Sequence, residues 1–319
     1  YTKEKTKRKK KAIDRISLPL CNQVVVFGGT HGNELSGIWL VRKWQTGLPL
    51  KSETCKVTSH LTNPEAIKLC RRYKDCDINR QFLDEKLTGK PDAKEPYEVQ
   101  RAREIYSTFS DTSRKRLILD MHNTTANMGL CLIVEKESDL FALHMCRYIQ
   151  NAFPKDYCRV MLQGQSYGDI RYIVKHGIAI EVGPQPHGVL RSDIADVQEK
   201  AVKLSLEFVD LFNKGHQFGS CEISAWTLKG KVDFPRDEKR NIEGMIHRDI
   251  QDQDWKPISG TTNIFQALNG QNLTLADVLK NEYDAGSEVY PLFINEASYY
   301  EKDLAFWLST KSVIMLPAL

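Results

Sequence analysis

Short apolar runs alternate with amphipathic segments over the first two thirds of this 319-residue chain. The apolar runs lie at residues 23–28, 56–61, 117–120, 130–134, 157–162 and 177–182. Between them, helical periodicity is found at residues 35–44, 97–109, 139–152 and 194–212. Strands that alternate with helices are typical of α/β domains. The pattern predicts a mixed, largely parallel sheet flanked by helices.

The pattern changes beyond about residue 216, where helical periodicity gives way to short strand-like pieces separated by turn residues. These pieces lie at residues 223–228, 230–234, 288–293 and 312–316. We therefore predict an α/β domain at residues 16–215 and a smaller β-rich C-terminal domain at residues 216–319. Residues 1–15 are predicted to be a disordered basic tail.

The charge of the chain is concentrated at its beginning. Residues 1–11 hold seven basic residues and one acidic residue, which leaves 38 basic and 40 acidic residues in the rest. A nearly neutral body does not indicate a nucleic-acid partner. The basic run at residues 7–11 is consistent with a nuclear-localisation patch or with a solubilising tail.

No apolar run approaches the roughly 18 residues that span a bilayer, and no apolar signal-peptide core follows the basic start. Eight cysteines are scattered without a C-x-x-C pair, which is typical of reduced thiols. We expect no membrane partner and a cytoplasmic location, with a nuclear one left open by the basic run. A metal site in this chain has to be built from histidines and carboxylates.

A candidate metal site follows the first apolar run. Residues 28–34 read Gly-Gly-Thr-His-Gly-Asn-Glu, which presents His31 and Glu34 three residues apart at the end of a buried strand. Such a pair also occurs by chance on solvated helix faces, and catalytic zinc normally has three protein ligands. His122 ends another apolar strand and is the best third ligand. Ligands at two strand ends fit the active-site edge of an open α/β sheet, and we predict one catalytic Zn²⁺ per chain.

Two carboxylates accompany these ligands. Asp120 projects to the same side of its strand as His122, where it either orients the imidazole or has a structural role. Glu181 lies in the apolar segment 178–182, where an unpaired charge is unfavourable. It is a candidate general base for amide hydrolysis, with a buried ion pair to an arginine as the alternative.

Residues 71–80 concentrate cationic groups and one asparagine. Arginine side chains can bind carboxylates through two parallel hydrogen bonds, so this segment could hold an anionic substrate or an oxyanion. A solvated, charged helix face is the alternative.

Several motifs in register resemble one known family. Asp-Ile-Asn-Arg at 77–80, Asp-Met-His-Asn-Thr-Thr at 120–125 and Glu-Val-Gly-Pro-Gln-Pro at 181–186 join the motif at 28–34. The likeness continues through residues 232–236, 251–255 and 295–302. Together they are similar to the zinc amidohydrolases that include aspartoacylase and aminoacylase-3, over nearly everything except the basic tail.

The resemblance implies a zinc-carboxypeptidase-like catalytic domain, a C-terminal domain that partly covers the active-site channel, a small N-acetylated amino acid as substrate, and a homodimer. It implies zinc ligation by His31, Glu34 and His122, and a general base at Glu181. It further implies an oxyanion-stabilising Arg72 and substrate-binding residues at Asn79, Arg80, Phe82, Tyr167, Arg171 and Tyr299.

The family members differ in substrate, and Arg171 bears on the difference. Tyr167 and Arg171 precede Glu181 by fourteen and ten residues, which is similar to the aspartoacylase pattern and implies N-acetyl-L-aspartate. Other positions do not follow the aspartoacylase pattern. The sequences at residues 125–129 and 141–146 are more similar to aminoacylase-3, and His187 is unlike either enzyme. The alternatives are a deacylase of N-acetyl aromatic amino acids and mercapturates, and a non-enzymatic binding protein of the same fold.

Overall fold

The computed structural model describes residues 17–90, 92, 94–111, 115–164, 167–280 and 288–319. The predicted basic tail, residues 1–15, lies outside this range. Among the described residues, no helix combines the length and the apolar character needed to cross a bilayer.

A nine-stranded mixed sheet forms the centre of the molecule, in the order β11-β12-β7-β5-β4-β6-β3-β1-β2. Five of the eight pairings between its described strands are parallel. A second, three-stranded sheet has the order β10-β9-β8. The strands are β1 (Gln23–Gly28), β2 (Lys56–Leu61), β3 (Arg116–Asn123), β4 (Gly129–Val134), β5 (Cys158–Leu162), β6 (His176–Gly183), β7 (Cys221–Val232), β8 (Gly244–Ile246), β9 (Asn263–Ala267), β10 (Asn272–Thr274), β11 (Tyr290–Leu292) and β12 (Phe306–Leu316).

Helices cover both faces of the large sheet. They are α1 (Leu35–Thr46), α2 (Pro64–Leu69), α3 (Asp84–Thr88), α4 (Tyr97–Phe109), α5 (Leu140–Asn151), α6 (Ser192–Asn213) and α7 (Leu275–Leu279), with short 3₁₀ turns at Ile78–Arg80, Ile170–Ile173 and Ala297–Glu301. Val24 and Val26 pack in the cluster that contains α1, α5 and α6 residues, whereas Val25 and Phe27 pack in the cluster that contains α4 residues. A strand buried on both faces reads as a continuous apolar run, which is why β1 was visible in the sequence.

The large sheet continues across residue 216, where the sequence pattern changes. Strand β7 pairs in parallel with β5, and β12 and β11 extend the same sheet. The segments 223–228 and 230–234, predicted as separate strands, form most of the single strand β7. The α/β class with a largely parallel sheet is confirmed. The C-terminal residues contribute the three strands at one edge of that sheet, β7, β12 and β11, and the small second sheet.

Candidate active site

The predicted metal ligands come from neighbouring strands. His31 and Glu34 lie in the loop between β1 and α1, and His122 lies in β3, which pairs in parallel with β1. The start of that loop passes very close to α1, because a Cβ on Gly28 would lie 2.4 Å from the carbonyl oxygen of Gly37. Only glycine at position 28 allows this approach.

Ligand atoms of His31, Glu34 and His122 all lie within 4.8 Å of one another, and all three residues are buried. The Nδ1 atom of His31 is 2.6 Å from Glu34 Oε1, and Nδ1 of His122 is 2.9 Å from Glu34 Oε2. Burial alone would raise the pKa of Glu34, but the two imidazoles outweigh burial and hold it well below its usual range. A buried His-Glu-His cluster could hold a metal ion.

Both imidazoles are oriented by aspartates through their second ring nitrogen. Nε2 of His122 is 2.7 Å from Asp120 Oδ2, and Nε2 of His31 is 3.1 Å from Asp77 Oδ1. Thr30 donates a 2.6 Å hydrogen bond to the other oxygen of Asp120. A carboxylate behind a histidine is the usual support of a metal-ligating imidazole, so the residues fit a metal. Of the two roles considered for Asp120, its contact with His122 favours orientation of the imidazole.

Glu181 lies beside this cluster, on β6. It is the register partner of His122 across the parallel β3–β6 pair, so both side chains leave the same face of the sheet. Burial, assisted by the charges of Glu34 and Glu296, raises the pKa of Glu181 to about 8. The salt bridges between described residues do not include Glu181, so the alternative of a buried ion pair is not observed.

One cavity contains the cluster, Glu181 and most of the predicted substrate-binding residues. The predicted residues that line it are His31, Glu34, Arg72, Asn79, Arg80, His122, Tyr167, Arg171, Glu181 and Tyr299. Phe82 is the exception, and the expectation that it lines the pocket is wrong. Its side chain is fully buried in the hydrophobic cluster of Phe27 and Ile78, because a bulky apolar residue after the Ile78–Arg80 turn gains more from the core than from the cavity.

Arg72 is oriented by Asp77. Its Nε and Nη2 atoms donate to Asp77 Oδ2 at 3.2 and 3.0 Å, and its Nη1 lies 3.6 Å from Glu34 Oε1. Burial lowers the pKa of a guanidinium, but the charges of Asp77 and Glu34 prevail and raise it. Arg72 is therefore a fixed cation that faces the His-Glu-His cluster.

Asn79 and Arg80 lie in the 3₁₀ turn next to Arg72. The Asn79 amide nitrogen is 3.4 Å from Asp120 Oδ2, and its oxygen accepts a 3.3 Å hydrogen bond from the backbone of Ile170. Arg80 donates to the carbonyl of Asn79 at 2.6 Å, and its guanidinium lies 5.9 Å from the centre of the Tyr167 ring. This turn connects the cluster to the segment that carries Arg171.

Arg171 lies in a different part of the cavity, which we call the far end and define by Ile133, Gln163, Asp169 and Arg171. Its Nη1 donates to the Ile133 carbonyl at 2.7 Å. Ile133 is the register partner of Ala179, two residues before Glu181 on the same face of β6. Two residues of a strand span roughly 7 Å, so Ile133 lies level with a point on β6 that is this far along the strand from Glu181.

Four charged residues of the site were missed as such by the sequence analysis. Asp77 and Asp169 are close in sequence to the predicted site arginines, Arg72 and Arg80 for the first and Arg171 for the second. An acidic residue near such an arginine was therefore the sequence signal that could have identified them. Glu296 and Lys302 come from the C-terminal region and line the same cavity. Burial, with the charge of Arg72, lowers the pKa of Lys302 to about 8.

Glu296 connects the C-terminal region to β3. It accepts hydrogen bonds from Thr124 Oγ1 at 2.5 Å and from the backbone of Thr125 at 2.7 Å, and it lies 3.3 Å from Nε2 of His187. Burial opposes its ionisation, but these contacts lower its pKa to about 2. Tyr299, three residues on, accepts a 3.1 Å hydrogen bond from Trp307 Nε1. The C-terminal region thus supplies part of the cavity wall.

Comparison with known proteins places this geometry in a family. Residues 21–209 match the "Succinylglutamate desuccinylase/Aspartoacylase catalytic domain", and residues 221–311 match the "AstE/AspA barrel-sandwich hybrid domain". The human N-acyl-aromatic-L-amino acid amidohydrolase (carboxylate-forming) is 40% identical over 304 residues, which is 93% of each chain. Mouse aspartoacylase is 41% identical over 296 residues, 91% of this chain and 92% of the mouse chain.

Among solved structures, murine aminoacylase 3 aligns with a TM-score of 0.88 and 38% identity, over 95% of this chain and 99% of that one. The resemblance inferred from the motifs is therefore confirmed, and so is the fold class. The relatives are named amidohydrolases, which agrees with a buried His-Glu-His cluster beside a glutamate in an open cavity. The chain belongs to the succinylglutamate desuccinylase/aspartoacylase family and is a hydrolase that acts on amide bonds.

Proposed function

We propose that this protein is a zinc-dependent deacylase of N-acyl amino acids that hydrolyses N-acetyl-L-aspartate to acetate and L-aspartate. The observation that carries the proposal is the content of one cavity: the His-Glu-His cluster and Glu181 at one end, and Arg80 and Arg171 further along. The relatives' names, which include aspartoacylase, support the class of substrate.

The metal would be held by His31, Glu34 and His122, with Asp77 and Asp120 orienting the two imidazoles. When bound, zinc supplies a Lewis acid that polarises the acetyl carbonyl and makes water a better nucleophile at neutral pH. Three protein ligands, rather than four, are the pattern of a catalytic zinc site.

Glu181 transfers the proton. It shares the face of His122 in the sheet and has no ion-pair partner among the described residues, so its carboxylate is available to water at the cluster. It takes a proton from the attacking water and gives that proton to the departing amine nitrogen, which completes cleavage of the C–N bond.

Arg72 stabilises the oxygen of the scissile carbonyl as negative charge develops on it. Asp77 fixes the guanidinium through Nε and Nη2, so Nη1 is the nitrogen that faces the cluster. A donor fixed in advance stabilises the transition state without having to reorient during the reaction.

The two carboxylates of N-acetylaspartate would bind to Arg80, assisted by Asn79, and to Arg171. Roughly 7 Å of strand separates the level of Glu181 from that of Arg171. This separation suits a four-carbon amino acid whose amide is at the cluster.

A second substrate class is favoured by a specific observation. The cavity wall includes Met161, Leu228, Phe293 and Trp307, and Arg171 is already paired with Asp169. A cavity with this wall also suits N-acetyl aromatic amino acids, with the α-carboxylate at Arg80.

The test compares hydrolysis of N-acetyl-L-aspartate and N-acetyl-L-tyrosine by the zinc-loaded chain. A higher kcat/KM for N-acetyl-L-aspartate is expected, and a higher value for the tyrosine compound would overturn the choice of substrate. Metal analysis accompanies the assay. A purified chain without stoichiometric zinc, and without activity that zinc restores, would overturn the zinc assignment.

A further inference from the structure

Arg171 already has an anionic partner within the protein. Its Nε lies 2.9 Å from Asp169 Oδ1, and its Nη2 lies 3.1 Å from Asp169 Oδ2. Both side chains are about nine-tenths buried or more. Burial would raise the pKa of Asp169, but the charge and hydrogen bonds of Arg171 outweigh burial and lower it. The far end therefore contains a buried ion pair with no net charge.

Most hydrogen-bond donors of Arg171 are also occupied. Besides the two bonds to Asp169, Nη1 donates to the Ile133 carbonyl and Nη2 donates to Gln163 Oε1. A guanidinium has five N–H donors, so these contacts leave one Nη1 hydrogen for a ligand. An unpaired buried arginine strongly rejects substrates that lack a carboxylate. Arg171 does not exert that selection, because without a carboxylate only one of its five N–H groups lacks a partner among the described residues, and Asp169 still compensates its charge.

We infer that Asp169 is a specificity-determining residue, which neutralises Arg171 and so lets the far end accept uncharged side chains of N-acyl amino acids nearly as well as a second carboxylate. This inference rests on the proposed deacylase function and refines its substrate class. Substrates that Arg80 binds through their α-carboxylate could then differ in their side chains. The one remaining N–H of Arg171 would donate a hydrogen bond to a carbonyl or carboxylate oxygen of the side chain. Ile133 and Met161, which line the same region, favour uncharged groups.

The position of Asp169 is fixed by the local fold rather than by the arginine alone. Its Oδ1 accepts the backbone N–H of Arg171 at 3.1 Å, as the cap of the Ile170–Ile173 turn, and its Oδ2 accepts from Gln163 at 3.4 Å. Serine and asparagine also cap such turns. The charge of Asp169 can thus be removed while a cap is retained.

The experiment uses two substrates of nearly equal shape and different charge, N-acetyl-L-aspartate and N-acetyl-L-asparagine. The ratio of their kcat/KM values is measured for the zinc-loaded wild type, Asp169→Asn, Arg171→Gln and the double variant Asp169→Asn/Arg171→Gln. The net charge of the residue pair is then zero, plus one, minus one and zero. The double variant is the matched control, because it changes both residues and restores neutrality.

We expect the ratio to follow this charge. Asp169→Asn should raise the preference for N-acetyl-L-aspartate by about tenfold or more, since one unit charge at contact distance in a partly buried site is worth more than a factor of ten. Arg171→Gln should lower it by a similar factor, and the double variant should return near the wild-type ratio. An unchanged or lower ratio in Asp169→Asn, or a double variant equal to Asp169→Asn, would overturn the inference.

Two further measurements distinguish an effect of charge from a failure of the variant to fold or to bind zinc. Thermal unfolding and zinc content identify variants that fail to fold, and Asp169→Ser then replaces Asp169→Asn because it removes the same charge and retains a cap. If the wild type hydrolyses neither substrate, the proposed function fails. If it hydrolyses them but the ratio ignores the charge, only the role of Asp169 fails.

Discussion

Asp120 and Asp169, one at each end of the cavity, are buried aspartates with opposite effects. Asp120 contacts the imidazole of His122, whose other nitrogen faces Glu34, so this carboxylate strengthens a ligand without occupying its binding atom. Asp77, at the same end, is shared between His31 and Arg72. At the far end, Asp169 contacts the guanidinium itself. A carboxylate behind a ligand makes the ligand more effective, whereas a carboxylate on a cation cancels its charge. The cluster end therefore holds the groups proposed for the reaction, whereas the far end is neutral and accepts different substrate side chains.

The largest effect is expected from Glu181→Gln at the reactive end. Loss of the proton carrier should reduce kcat by about 10²- to 10⁴-fold while zinc stays bound, because the three candidate ligands are unchanged. Turnover and zinc per chain are measured together. Glu199→Gln, which alters a glutamate paired with the remote Lys43, is the control and should keep normal turnover. Near-normal turnover in Glu181→Gln would remove Glu181 as the base.

A smaller effect is expected from Asp120→Asn, which weakens the support behind His122. Zinc affinity should fall about 10- to 100-fold, as is usual when the partner of a metal-ligating histidine is lost. Competition with a chelator of known affinity measures this change. Asp254→Asn is the matched control, because Asp254 is also a buried aspartate but contacts the backbone of Ile294 instead of the cluster. Equal zinc affinity in wild type and Asp120→Asn would contradict the role of Asp120.

At the far end, Arg171→Gln should change binding rather than chemistry. We expect KM for N-acetyl-L-aspartate to rise about tenfold with kcat within a few-fold of wild type, because Arg171 contacts none of the cluster residues. Steady-state kinetics separate the two constants. A fall in kcat as large as that of Glu181→Gln, at unchanged KM, would show that the two ends do not act separately.

The smallest effect on activity, and a distinct effect on stability, is expected at Asp254. Burial raises its pKa to about 7, and one of its oxygens has no hydrogen-bond partner among the described groups. Because this pKa is above the ordinary value of 3.8, the stability that the neutral form contributes is complete below pH 4 and is lost as the pH rises through about 7.

Asp254→Asn removes this titration. The variant should exceed the wild type in free energy of unfolding at pH 8, by an amount on the order of a few kcal/mol, and the difference should shrink toward pH 5. Urea unfolding at both pH values measures it. A constant difference across this range would contradict the raised pKa. The ratio of the two substrates should not change.

Much of the fold follows from local pattern. The runs at residues 23–28 and 56–61 match β1 and β2 to the residue. For β1 the reason is that a strand buried on both faces has little polar interruption. The pairing of β5 with β7 could not be predicted in this way, since it joins strands distant in sequence. The candidates His31, Glu34, His122 and Glu181 could be singled out because each is a polar residue in an apolar strand or in the loop directly after one.

Two features of the site depend on side-chain direction, which sequence does not reveal. Phe82 follows Arg80 closely, and either the cavity or the core could have received its ring; the core did. Asp169 and Arg171 were visible as charges two residues apart, but their pairing depends on the 3₁₀ turn and on Gln163 and Ile133 from neighbouring strands. From the sequence, Arg171 therefore indicated a site that selects substrates with a second carboxylate. In the structure, Asp169 compensates the charge on which that selection would depend.

The division between a reactive end and a neutral far end is tested most directly by substrate binding to an inactive protein. Calorimetry measures the Kd of N-acetyl-L-aspartate for zinc-loaded Glu181→Gln and for Glu181→Gln/Asp169→Asn. The second protein should bind about tenfold or more tightly, because it has an uncompensated Arg171, with the Kd of N-acetyl-L-asparagine unchanged. Equal Kd values of N-acetyl-L-aspartate for the two proteins would contradict neutralisation of Arg171 by Asp169.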